Sequence, residues 1–191
     1  GDFDMAVPVN KQGLTKFIEK WTGRGKEDED DRSYWIDLFQ NVFGQSDVTD
    51  RIDFQKKVIG ADGNTKRIDA YIPETSVIIE QKSLGIALDK PQAGHDGMTP
   101  YEQAKMYDNG LPRSEKARWI VTSNFEEIWI FDMEKRKPEE SVIKIYLSNL
   151  AKDYPMLQFL FDPQVEQIRR ELKVSQEAGD RIGKRGAERS G

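Results

Sequence analysis

The chain has 191 residues, 37% of them hydrophobic and 33% charged, with a formal net charge of -5, which is room for one ordinary domain or one domain plus an appended helix, and too little for two catalytic lobes. Nine Phe, six Tyr and four Trp oppose disorder, and neither a charged-then-apolar leader nor an apolar run near the roughly 18 residues of a membrane helix occurs, so a soluble, cytoplasmic protein without membrane contact is expected. The absence of cysteine excludes disulfides, zinc-thiolate sites and thiol catalysis, the single His95 excludes paired-histidine sites, and the acidic balance opposes tight independent binding to a phosphate backbone.

Residues 1–12 lack periodicity and contain Pro8, so a loose arm is expected there, ahead of a domain over 13–162. Leu14, Phe17, Ile18 and Trp21 fall at i, i+3, i+4 and i+7, a short amphipathic helix with Thr15 near its start. Residues 22–31 (TGRGKEDEDD) read as a solvated connector whose acidic end suits the N-terminus of a following helix. Tyr34, Trp35, Leu38, Phe39 and Val42 form that helix's buried stripe, and Gly44 closes it.

From residue 51 the period becomes two. Ile52, Phe54 and Lys56 are expected on one face of a strand reaching about residue 59, with Asp53, Gln55 and Lys57 on the other. Turn residues at 60–64 lead to a strand over 66–72, and a tight connection at 73–76 leads to another over 77–83, an antiparallel meander. Residues 84–99 hold three glycines and no periodicity, a loop long enough to carry function. A helix over 100–109 follows, then strands over 118–122, 127–132 and 142–147, then helix from 150 broken by Pro155 and Pro163. A last helical segment over 164–182 carries a narrow stripe of Val165, Ile168 and Leu172. The expected fold is α/β (α+β), a mixed sheet flanked by helices.

The meander reads RIDAYIPETSVIIEQKS over residues 67–83. If it turns between Glu74 and Thr75, Asp69 lies opposite Glu80 on one face, with Cβ atoms about 5 Å apart, and Lys82 projects from that face too. A register shifted by two residues keeps the carboxylates together, whereas a shift of one splits them across the sheet. Paired carboxylates this close repel unless a cation sits between them, and hard divalent ions take one or two carboxylates plus water and phosphate. A neighbouring lysine can orient water and balance charge on a phosphoryl group. The same alternation also fits the wet face of a half-exposed strand. Against that, Val77, Ile78 and Ile79 make the Glu80 strand apolar on both faces, where an ionised group needs a partner. On the following helix Gln103 and Tyr107 are i and i+4, an amide and a phenol on one face.

Asp69, Glu80-Gln81-Lys82 and the Gln103-x-x-x-Tyr107 helix resemble the PD-(D/E)XK nuclease superfamily, in the branch with a Gln-xxx-Tyr helix. The stretches LTKFIEKW, RSYWIDLFQNVFG, RIDFQKKV, RIDAYIPETSVIIEQKSLG, MTPYEQAKMY, RWIVTSNFEEIWIFDM and VSQEAGDRIGK resemble the N-terminal nuclease region of MmeI-like enzymes, restriction endonucleases fused to an adenine-specific DNA methyltransferase. The resemblance covers residues 14–184. It implies a restriction-endonuclease-like fold and a type II site-specific deoxyribonuclease that cleaves double-stranded DNA with Mg²⁺, or Mn²⁺. Asp69, Glu80 and the Gln81 carbonyl would be metal ligands, Lys82 would act near the attacking water, and Gln103 and Tyr107 would support the site. Such nucleases often add an acid from the first core helix, for which Asp37 and Glu19 are candidates.

Neither an Asn-Pro-Pro-Tyr or Asp-Pro-Pro-Tyr motif nor a glycine-rich methyl-donor loop occurs. Residues 163–191 are therefore expected to begin a helical connector to in-chain methyltransferase and target-recognition domains, where S-adenosylmethionine would bind, and cutting both strands suggests transient pairing on DNA. A non-catalytic DNA-positioning module of this fold and a stand-alone repair or recombination nuclease are the alternatives. His95, in the glycine-rich loop, is a candidate phosphate contact or proton shuttle, while Trp119 and Trp129 sit in strands as expected core.

Overall fold

Asn10 opens the first element in the computed structural model, which describes residues 7–168. Its side-chain oxygen accepts the Gly13 N–H at 2.9 Å and caps α1 (Lys11–Trp21). The helix thus starts earlier than Thr15, which instead donates to the Lys11 carbonyl inside the first turn. Nor is the arm loose where it is described: Val7 is buried, and the Asn10 N–H is bonded to the Val42 carbonyl. Leu14, Phe17 and Trp21 are buried as their spacing requires.

Gly13 lies where α1 meets the π-helical turn Leu38–Val42, and a Cβ there would sit 1.9 Å from the Asn41 carbonyl oxygen. Because that atom is backbone, relief requires moving one element. Gly13→Ala is expected to cost about 1–3 kcal/mol by overpacking, lowering the melting temperature by roughly 3–10 °C at this chain length. An unchanged thermal melt would show that the two elements are not in contact in solution.

The second helix, α2 (Glu27–Asp37), begins within the stretch expected to be a connector, with all four residues of its first turn acidic. They face the helix's positive end, which favours them there. It continues through Leu38–Val42, and Gly44 follows with φ +65°, the left-handed conformation that ends such helices without Cβ strain. A short α3 (Val48–Arg51) leads into the sheet.

Six strands, β1 (Asp53–Ile59), β2 (Thr65–Ile72), β3 (Val77–Gln81), β4 (Trp119–Ser123), β5 (Glu127–Asp132) and β6 (Ile143–Tyr146), form one sheet in chain order. All neighbours are antiparallel except β3 and β4, which are parallel. A parallel pair needs a crossover, supplied by residues 82–118, including α4 (Pro100–Asn109), which packs on β2, β3 and β4. Thr99 and Glu102 cap this helix reciprocally, with Pro100 in its first turn. The expected glycine-rich loop stands between β3 and α4 without regular structure.

Two cores cover the sheet. On one face Phe17, Trp21, Tyr34, Trp35, Leu38 and Phe39 meet Ala70, Ile72, Val77, Ile79 and Val121. On the other, Tyr101, Ala104 and Leu111 meet Val58, Ile68, Tyr71, Ile78, Ile120, Trp129 and Phe131. Trp119 and Trp129 are core residues, as expected of their strands.

Alternation along β1 and β2 fails at one place. Phe54, Ala70 and Ile72 pack with the first core, yet Val58 and Ile68, of the same parity, belong to the second. The break falls at Gln55, whose φ of +64° is left-handed, and at its opposite number Asp69, where the ladder skips a pair. A residue in that conformation turns the strand over, so Phe54 and Lys56 do not share a face, and Asp69 lies at the crossing.

Beyond β6, α5 (Leu150–Asp153) and the 3₁₀ stretch Tyr154–Leu160 close the first core. Residues 164–168 hold turns in place of the expected helix, and Val165 and Ile168 pack on that core. The rest of that segment, including Leu172, lies outside the described residues, as do residues 1–6 of the arm. Among the described residues no helix is long and apolar enough to cross a membrane.

Candidate active site

The register decides which charges meet. Ala70 pairs with Ile79, Tyr71 with Ile78 and Ile72 with Val77 around a four-residue connection, which is the register that sets Asp69 level with Glu80. At this level the regular ladder gives way: the Asp69 Oδ2 accepts the Gln81 N–H at 2.8 Å, a side chain taking the backbone donor's bond.

Glu80, at 4% exposure, is flanked by Lys82 at 3%. The Lys82 ammonium lies 3.3 Å from Glu80 Oε1 and donates to Gln103 Oε1 at 3.0 Å. Glu80 Oε2 is buried with no hydrogen-bond partner among the described residues, and so is the hydroxyl of Thr122, which pairs with Glu80 across β3 and β4. An uncompensated oxygen on a buried carboxylate is costly, and a further cation or donor at this atom would offset that cost. Burial, and then the Asp69 charge, hold Glu80 well above the usual carboxylate range, with Lys82 opposing. Burial also raises Asp69, to about 6, against the pull of the Gln81 N–H.

The Gln81 side chain points to the opposite core. There Trp35 Nε1–H donates to its Oε1 at 2.9 Å, and its Nε2 donates to the Lys82 carbonyl at 3.0 Å. The end of β3 is thereby tied to α2. Ser83 adds a second tie, its hydroxyl oxygen accepting the Glu27 N–H at 2.9 Å.

That tie brings α2's first turns to the cluster. Burial raises both Glu27 and Asp31, Lys82 acts on Glu27, and both acids in turn raise Asp69. Neither was singled out from the sequence, although a signal was there: Glu27 and Asp31 continue the stripe of Trp35, Leu38 and Val42 at helical intervals. Asp37 and Glu19, the two candidate acids, are not brought to the cluster. Asp37 accepts from Trp21 Nε1 at 2.9 Å and Asn41 Nδ2 at 2.7 Å, with Lys20 at 3.6 Å, and so joins α1 to α2. Glu19 is exposed on α1.

From α4, Gln103 holds Lys82, while burial and then Glu80, Asp69 and Glu27 push the Tyr107 phenol up to about 12. It therefore stays a neutral donor beside the carboxylates. Burial and Lys82 together hold His95 below its ordinary range, which places the exposed imidazole within Lys82's field.

No group of three or more His, Cys, Asp or Glu among the described residues forms a metal cage. The donor set nevertheless fits a hard divalent ion, which takes a pair of carboxylates and fills its remaining positions with carbonyl, water and phosphate oxygens. The orphaned Glu80 Oε2 is the observation that favours this fit.

Against known proteins, the sequence matches the family described as MmeI, N-terminal domain, over residues 12–185. Among solved structures, a chain of a cryo-EM DrdV–DNA complex is similar, with 15% identity and a TM-score of 0.48, over 80% of this chain and 14% of that one. No curated protein matches the sequence.

Proposed function

Given that the chain belongs to the MmeI N-terminal domain family, we propose that it is the endonuclease domain of a restriction-modification enzyme, hydrolysing phosphodiester bonds of duplex DNA with Mg²⁺. The observation that carries this reading is the carboxylate pair itself: Asp69 and Glu80 held together in a buried setting, one oxygen unsatisfied, with an ammonium 3.3 Å from the other carboxylate oxygen of Glu80. Two neighbouring carboxylates share the one Lys82 ammonium here, and a second cation would offset the charge that remains.

Asp69, Glu80 and the Gln81 carbonyl would hold the ion, with Glu27 and Asp31 reaching it through water. When bound, Mg²⁺ supplies Lewis-acid polarisation of the phosphoryl group and a lower pKa for coordinated water. Lys82, steadied by Gln103, orients the attacking water and offsets negative charge growing on the phosphoryl oxygens. Tyr107 donates a hydrogen bond to a nonbridging oxygen. Water's oxygen forms the new bond to phosphorus and gives up a proton to solvent, as the bond to the leaving sugar oxygen breaks and that oxygen takes a proton from solvent. Methylation and target recognition by other domains of a longer protein, and pairing of two nuclease domains to cut both strands, are part of the same proposal.

The test is nicking of supercoiled plasmid by the intact protein in Mg²⁺, abolished by EDTA. Within it, Glu27→Gln is expected to reduce the rate or the metal affinity about 10–100-fold, the scale of residues that support a metal site, whereas Glu19→Gln is not expected to change either. Equal behaviour of the two variants would remove α2 from the site, and no nicking at any Mg²⁺ concentration would remove the nuclease.

A further inference from the structure

We propose that the distal half of the β1–β2 hairpin is a phosphate-binding arm that holds a DNA strand at the mouth of the carboxylate site. Residues 56–67 carry Lys56, Lys57, Lys66 and Arg67 against one acid, Asp62, in a chain whose net charge is -5. Asp62 is already engaged, accepting from the Asn64 backbone and side chain at 2.9 and 3.0 Å. Lys56 is paired with Glu115 at 3.4 Å. Lys57 and Arg67 have no ion-pair partner among the described residues, yet they stand directly opposite each other across the strands. Like charges so placed repel, a cost without return in the isolated fold.

Topology sets these cations on the same hairpin as Asp69, two residues beyond it along β2 in the case of Arg67. β1 and β2 stay paired out to Ile59 and Thr65, past Asp69 and past the last β2–β3 pair, Ala70 with Ile79, so residues 57–59 and 65–67 form the free distal part of the hairpin that carries Asp69. One side of this distal part is fixed: Val58 and Ile68 join the core with α4, and the backbone at Ile59 lies so close to Gly110 that a Cβ there would be 2.5 Å from the Ile59 carbonyl oxygen. The other side bears Lys57, Ile59, Thr65 and Arg67, all exposed, with Ile59 at 66%. A rigid ledge with two adjacent free cations and an exposed aliphatic side chain fits a nucleic-acid backbone: phosphates relieve the Lys57–Arg67 repulsion, and Ile59 lies against sugar. Phosphate neutralisation by such cations binds without reading sequence.

This proposal rests on the nuclease reading for its ligand, but its test does not depend on catalysis. In the intact protein, Lys57→Glu/Arg67→Glu and the neutral pair Lys57→Gln/Arg67→Gln are compared with wild type for binding of a fluorescein-labelled DNA duplex in EDTA, from 50 to 200 mM NaCl. The reversal is expected to weaken binding at least tenfold at 100 mM NaCl, and the neutral pair to make the slope of log K against log salt shallower by about 2, one unit per lost phosphate contact. Melting temperature should not fall below wild type in the neutral pair, which relieves the repulsion, and Mg²⁺ affinity should not fall in either variant. Unchanged affinity and slope overturn the arm, as does an equal loss from Lys135→Glu/Arg136→Glu on the β5–β6 connection. Hairpin variants that bind normally while Lys82→Ala is inactive sink the arm and spare the nuclease. Variants that lose DNA while Lys82→Ala still nicks keep the arm and sink the nuclease.

Discussion

Lys82→Ala in the intact protein is expected to lower Mg²⁺-dependent plasmid nicking by a factor of about 10²–10⁴, the range spanned by loss of a positioned acid–base or charge-stabilising group. The ammonium is 3.3 Å from Glu80 and bonded to Gln103, and it is almost wholly buried. No water-borne cation replaces it freely, and its removal strips Glu80 of its counter-charge and Gln103 of its donor. That also costs stability, so each variant's melting temperature and Mg²⁺ affinity need measuring beside its rate. Lys82→Arg, which keeps the charge but is planar and bulkier in a fitted site, should retain the fold and lose most of the rate. A folded, metal-binding Lys82→Ala protein that nicks like wild type would end the catalytic assignment and leave a non-catalytic module in its place.

Asp69→Asn is expected to reverse the usual sense of an active-site substitution: a more stable metal-free protein that no longer responds to Mg²⁺. The Asp69 carboxyl titrates at about 6 when folded, against an ordinary value of 3.8. Between those values the folded state binds more protons than the unfolded one, so stability falls as pH rises through the window. Below it the penalty is absent, and above it the full penalty applies, on the order of 3 kcal/mol for a shift of this size. Glu80 is displaced in the same direction and extends the decline to higher pH. In EDTA the wild-type melting temperature should therefore drop between pH 5 and 7.5. Asp69→Asn keeps an oxygen to accept the Gln81 N–H but carries no charge, so its profile should be flatter and its melting temperature at pH 7.5 several degrees higher. Saturating Mg²⁺ should invert the order, adding about 2.7 kcal/mol to wild type at a concentration 100-fold above Kd and nothing to the variant. Parallel pH profiles, or equal gains from Mg²⁺, would refute the assignment of Asp69 as a ligand.

Most elements were legible because their signals are local. The turn-bounded strand at 66–72, the apolar Val77-Ile78-Ile79 and the Thr99–Pro100–Glu102 helix start each prescribe one structure through contacts a few residues apart. The Asp69–Glu80 pairing was also readable, because the turn length restricts the hairpin to few registers and apolar faces choose among them. The left-handed Gln55 was not legible, since glutamine carries no preference for that conformation. The acids of α2 are legible as the charged start of a helix, but not as partners of Asp69, because charge runs at helix starts are common. Glu27 is tied to the end of β3 by Ser83, 56 residues away in sequence, and Asp31 follows one turn later on the same helix face.

The sequence by itself therefore determined which groups are at hand: no thiolate and a single imidazole, two carboxylates and a lysine on one hairpin, and an amide and a phenol on the next helix. Tertiary structure alone decided the rest, which is that acids of α2 reach the cluster, which carboxylate oxygen is left unsatisfied, and where the positive charge of an acidic chain is gathered. The division follows from range. Residue type and short spacing set what a group can do, whereas desolvation and electrostatic coupling depend on which distant elements exclude water around it, and that is settled only when the sheet closes between α2 and α4.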